Sequence, residues 1–145
     1  MIKSFRGLLA DGEQDTISLH RNNGKTGYKV VKFEIMPSNA FGNDYNGTVT
    51  VFKESQTAAL TTVNFSDNRL LAAGIWSSRS SAESYPEDVS IIFDNEIFNQ
   101  DIYVLYQDTK GLAAGEGMNY YIELEQINLT LDESTVATLK DLRNS

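Results

Sequence analysis

Tyr28-Lys29-Val30-Val31-Lys32-Phe33-Glu34-Ile35-Met36 is the clearest alternating stretch of the chain. Val31, Phe33 and Ile35 fall on one parity, Lys32 and Glu34 on the other. That period of two predicts a half-buried β-strand with one apolar and one solvated face. Pro37 follows and ends the ladder by removing an N–H donor. Asn22-Asn23-Gly24 precedes it, a hairpin-turn signal because these residues tolerate positive φ.

Working outward, the same short alternation recurs between turn residues. Ile2 to Arg6 reads as a first strand, Asp11-Gly12 as a turn and Thr16 to His20 as a second alternating run. Ser38 to Gly47 reads as a polar loop carrying two exposed aromatics, Phe41 and Tyr45. Strands are predicted at Thr48 to Phe52, where β-branched residues concentrate, at Leu60 to Phe65, at Val89 to Phe93 and at Ile102 to Tyr106. Leu70 to Trp76 fits either an irregular strand or a short helix capped by Asp67-Asn68. Ser77 to Asp88 reads as a serine-rich loop and Gly111 to Gly117 as a flexible connection.

Tyr120 to Leu129 is a final long strand with a fault in its phase. Tyr120, Ile122 and Leu124 share one parity; Ile127, Leu129 and Leu131 share the other. One face cannot hold both sets, which predicts a β-bulge or a change of partner sheet near Glu125-Gln126. The period then changes. Thr130-Leu131-Asp132-Glu133 matches a capping box, and Val136, Leu139 and Leu142 recur every three residues. A short amphipathic helix is expected at about 132–143, too short to stand alone. Its stripe must dock, and its own domain is the favoured partner.

About eight short strands and one terminal helix predict an all-β single domain over residues 1–145, a β-sandwich of jelly-roll-like form. The 145 residues suit one domain, and a 41% hydrophobic content suffices for a core. No signal peptide is expected at the N-terminus, and no apolar run approaches the ~18 residues that a membrane helix needs.

The chemistry-bearing residues are sparse. Cysteine is absent, so disulfides and thiolate chemistry are excluded. His20 is the sole histidine and lies beside no nucleophile motif. One histidine without cysteine cannot build an ordinary zinc site. Glu123 and Glu125 share one strand face, which suits a solvated surface better than a glycosidase pair. Asp94-Asn95-Glu96 and Asn43-Asp44 lack the spacing of a calcium loop. Tyr120 and Tyr121 fall on opposite faces and cannot form one sugar-binding platform. Trp76 lies beside a serine-rich loop, where it fits either core or a partner anchor. Twelve scattered basic residues in a chain of net charge −8 do not make a nucleic-acid groove. No catalytic residue, metal ligand or cofactor is predicted, and a non-enzymatic protein is expected.

The segments Ile17 to His20, Gly27 to Phe33, Asp67-Asn68, Ile91 to Ile102, Asn119 to Gln126 and Thr135 to Asn144 together resemble a family of small virion proteins of marine tailed bacteriophages. The resemblance covers most of the chain and is weakest at 38–47, 77–88 and 109–118. It implies a virion component assembled in the host cytoplasm. The expected role is a capsid decoration (cement) protein that binds the major capsid protein and copies of itself as a trimer. Phe41, Tyr45, Trp76, Val136, Leu139 and Leu142 are the candidate partner-binding residues. A tail adaptor, nozzle or fibre-associated protein is the alternative within the virion. A carbohydrate-binding module for host attachment, with Trp76, Phe41 or Tyr45 as platform, is the alternative of another class.

Overall fold

A computed structural model describes residues 1–19, 25–39, 44–78, 87–93, 95–109 and 116–129. Eight strands are found among them: β1 (Ile2–Leu9), β2 (Gln14–Ile17), β3 (Thr26–Pro37), β4 (Tyr45–Phe52), β5 (Leu70–Ser78), β6 (Glu87–Ile92), β7 (Ile102–Asp108) and β8 (Met118–Asn128). They form a three-stranded sheet, β1-β8-β3, and a five-stranded sheet, β2-β7-β4-β5-β6, in which every pairing is antiparallel. The fold is the all-β sandwich expected from the alternation.

The strand order carries more than the strand count. β1 pairs β8, β2 pairs β7 and β4 pairs β5, a nested series around the middle of the chain. This is the winding of a jelly roll, in which the third and sixth strands complete the set. Here β6 hydrogen-bonds to β5 instead, yet it still lies against β3. The Ser90 hydroxyl donates to the Phe33 carbonyl across that seam at 3.4 Å.

The core lies where the inner parities of the two sheets meet. Phe33 and Ile35 of β3 and Ile122 and Leu124 of β8 face Val49 and Val51 of β4 and Val104 and Tyr106 of β7. Gly74 of β5 lies under the rings and methyls of β3: a Cβ there would approach Phe33 Cε2 at 3.2 Å and Ile35 Cδ1 at 3.3 Å. Burying each large apolar side chain stabilises the fold by roughly 1.5–3 kcal/mol.

The bulge expected near Glu125-Gln126 is not there: β8 pairs with consecutive residues through Asn128, and the register shift of this ladder lies in β3. β8 runs without a fault from Met118 to Glu125 against β1. In β3, Val30 faces Leu124 and Lys32 faces Glu123, leaving Val31 without a partner. Val30 and Phe33 are therefore both buried, and Val31 does not share the inner parity of Phe33. The extra residue re-phases β3 alone; β8 keeps one parity through Asn128, so Ile127 stays off the inner face. Leu129 regains the core just past the end of β8, with its N–H bonded to the Lys25 carbonyl.

Leu60 to Phe65 is not a strand. Lys53 to Arg69 runs over the outer parity of β4 and β7 as an irregular strap. Several of its polar groups are met by side chains and isolated backbone bonds. Thr48 Oγ1 donates to the Thr61 carbonyl at 2.9 Å, and Gln14 Oε1 accepts from the Gln56 N–H at 2.9 Å. Arg69 clamps the strap, donating to Asp67 at 2.8 and 2.9 Å and to Glu54 at 2.9 Å. The strap buries Thr48, Thr50 and Leu105, which lie on the outer parity. The helix-or-strand alternative at Leu70 resolves as strand β5, where Leu71 and Ala72 are fully buried.

The hairpin turn at 22–24, most of the glycine-rich connection and the amphipathic segment at 132–143 lie outside the described residues.

Candidate functional site

Of the six candidate partner-binding residues, Phe41, Val136, Leu139 and Leu142 lie outside the described residues. Tyr45 is a correction. It opens β4 rather than hanging from a loop, and it is fully buried. Its hydroxyl donates to Glu116 Oε2 at 2.7 Å and accepts from the Asn39 N–H at 3.3 Å. The residue joins the β3–β4 turn to the entry of β8. Burial raises its pKa above the ordinary phenol value. An aromatic followed by Asn-Gly looked like loop; the β-branched run beginning at Thr48 in fact reaches back to include it.

Trp76 sits on the inner parity of β5 with Ala72 and Gly74, partly buried against the core. It does not stand out as an exposed platform. His20 and Asp94 lie outside the described residues. Among the described residues no group of three or more His, Asp or Glu side chains gathers where a metal ion could sit. Glu123 and Glu125 occupy the outer face of β8, where Glu125 pairs with Lys29 at 3.5 Å.

That outer face is where the structure builds a site. β8 is the floor and β1 and β3 are the walls of an open groove of about 530 Å³. Register stacks the outward side chains in rows. Leu8, Asn119 and Met36 form one row; Arg6, Tyr121 and Glu34 the next; Ser4, Glu123 and Lys32 a third. Tyr120, one residue away, points inward and donates to Asp15 Oδ2 at 3.1 Å, so the two tyrosines do part as alternation requires.

Tyr121 is held in place. Its hydroxyl donates to Glu123 Oε2 on the same strand, which lays the ring along the floor. That bond, ahead of desolvation, raises its pKa. Lys32 Nζ stands 5.9 Å from the ring centroid, within cation–π range. Leu8 and Met36 are 47% and 63% exposed at the groove's apolar end. The alternation of β8 and β3 announced which residues face outward. It could not announce that outward residues of three strands together line a groove.

A second exposed feature lies on the outer parity of β5 and β6. Ile75 faces Val89, and Ala73 faces Ile91. Ile75, Val89 and Ile91 are 47%, 63% and 40% exposed, an apolar band on the edge of the five-stranded sheet.

No protein-family model matches the chain, and no curated protein does. Among solved structures, the infectious bursal disease virus VP2 subviral particle aligns over 88% of this chain and 33% of that one, with 10% identity and a TM-score of 0.19. The chain thus spans about a third of that protein's length, and a likeness this slight bears on neither fold nor function.

Proposed function

We propose that this chain is a virion structural protein, a decoration protein that binds the outer surface of a tailed-phage capsid. The resemblance of its strand segments to small phage virion proteins motivates the reading. The observation that carries it is the apolar band of Ile75, Val89 and Ile91. Contiguous exposed apolar side chains on an edge strand mark a surface built to be covered. The net charge of −8 suits a protein held at high local concentration. The major capsid protein and neighbouring copies are the partners this reading assigns to the band.

Quantitative mass spectrometry of purified particles tests the role. Copies in the hundreds, released together when the shell is stripped, support decoration. A handful at one vertex moves the protein to the tail. Val89→Lys with Ile91→Lys should leave the isolated subunit folded, because both side chains already face water, and should abolish its rebinding to stripped shells. Full rebinding by that variant would remove the band from the interface.

A further inference from the structure

We propose that the groove over β1, β8 and β3 is a binding site for a neutral saccharide, with Tyr121 as its stacking platform. This goes beyond the particle role and does not depend on it.

The first argument concerns the backbone. An extended peptide binds a sheet by adding to a free edge, where main-chain groups await partners. Here the floor is the central strand. From Met118 to Glu125, β8 is paired to β1 on one side and β3 on the other. A peptide lying in the groove would find few main-chain partners and would have to leave its own amides poorly bonded. The occupant must be read by side chains alone.

The second argument concerns those side chains. The groove offers an aromatic ring, two exposed apolar side chains, Leu8 and Met36, one amide, Asn119, and the ionic groups Arg6 and Glu34. Pyranose rings present C–H faces that lie against aromatic and apolar surface and hydroxyl edges that hydrogen-bond to amides, carboxylates and guanidinium groups. Each element of the wall has a counterpart on such a ring. The volume of about 530 Å³ lies within the roughly 300–1,000 Å³ of ligand clefts and accommodates a short oligosaccharide.

The third argument is charge. The chain as a whole is strongly acidic, yet the groove is balanced. Its lining holds one basic group, Arg6, and one carboxylate, Glu34, which faces Lys32 of the next row at 4.0 Å. An anionic ligand would meet the Glu34 carboxylate and a cationic one the Arg6 guanidinium. A neutral ligand meets paired ions that serve as hydrogen-bonding groups. The ring is also preorganised by the bond to Glu123, which lowers the ordering cost of binding.

The test uses the whole chain, labelled for amide NMR and titrated with maltotriose, cellotriose, xylotriose and chitotriose. At least one should shift amides of Arg6 to Leu8, Glu34 to Met36 and Asn119 to Tyr121 together, with millimolar or tighter affinity. Tyr121→Ala should weaken that binding at least about tenfold, whereas Tyr121→Phe, which keeps the ring, should stay within about threefold. Arg6→Ala, an exposed edge substitution, gives a second reading should Tyr121→Ala fold poorly, and should weaken binding by about threefold or more. The proposal is overturned if none of the four sugars shifts these amides. It is equally overturned if binding survives Tyr121→Ala unchanged, or if an alternating apolar–polar decapeptide occupies the groove and displaces the sugar.

Discussion

Tyr106 donates its hydroxyl proton to Asp108 Oδ2 across 2.7 Å, with both side chains buried in the interior of the sandwich. The two residues lie on the inner parity of β7, and Asp108 Oδ2 also accepts from the Asn46 N–H at 3.1 Å. Tyr106→Phe removes a donor from a buried carboxylate while leaving the ring packed. The expected cost is about 1.5–3 kcal/mol, measured as a lower urea midpoint with an unchanged slope.

The same bond sets an alkaline limit. Burial first, and the bond to Asp108 second, raise the pKa of Tyr106; burial and Asp15 do the same for Tyr120, and burial does so for Tyr45. The unfolded chain releases these protons near the ordinary phenol value of 10.0 while the folded chain holds them. Stability is therefore fully present below about pH 10 and falls as pH rises beyond it. Phenolate absorbance of these three should appear together with the loss of circular dichroism. Smooth titration of all seven tyrosines in a folded protein would contradict this.

Gly47 on β4 has no room for a side chain. A Cβ there would lie 2.6 Å from the Gln107 carbonyl oxygen and 2.6 Å from Tyr106 Cε1. The carbonyl belongs to the ladder and cannot yield. Gly47→Ala should therefore destabilise by at least the ~1–3 kcal/mol typical of overpacking, read from thermal melts. Gly12→Ala should also destabilise, for a different reason: its φ of 80° strains an L side chain, although a Cβ there would meet nothing closer than Gln107 Oε1 at 3.7 Å.

Arg69 is the fastener of the strap. Its bonds hold the Asp67 carboxyl below the ordinary carboxylate value. That stabilisation is present above the unfolded value of 3.8 and is lost as pH falls through the lower folded one. Arg69→Lys keeps the charge but loses the fork. The expected result is faster amide exchange across 53–69, little change in the core strands, and a loss of roughly 1 kcal/mol.

Deleting Val31 should be tolerated where deleting Glu34 is not. Without Val31, Val30 and Lys32 become consecutive opposite Leu124 and Glu123, and the inner parity is kept on both sides of the cut. Without Glu34, Phe33 and Ile35 become neighbours and point to opposite faces. Cooperative melting of the first variant and its absence in the second is the expected outcome.

Much of this was legible in the sequence because period-two alternation is a local property. It located β1, β3, the middle of β4, β7 and β8, and it separated Tyr120 from Tyr121. Three things were not local. The change of parity in β8 pointed to a bulge at Glu125-Gln126, but β8 runs unbroken there; the bulge of this ladder is at Val31 of β3, where strict alternation of Val31, Phe33 and Ile35 gave no sign of it. Leu60 to Phe65 has strand-like residues, yet the segment lies over a sheet face, against Thr48, Thr50 and Leu105, rather than in a ladder. Tyr45 looked exposed because polar neighbours flank it; its burial depends on Glu116, distant in sequence. The groove was equally hidden, since its residues come from three strands that only pairing brings side by side.

Eight rungs join β1 to β8, from Ile2 opposite Glu125 to Leu9 opposite Met118, and this arrangement gives the domain a mechanical direction. Tension applied through Ile2 and Asn128 acts at one end of the ladder. The rungs then open in sequence, like a zip, and β1 peels first because it has β8 alone beside it. Tension applied through Leu9 and Asn128 acts along the strands and loads every rung at once, in shear. The same fold is thus compliant when pulled from one end and stiff when pulled lengthwise.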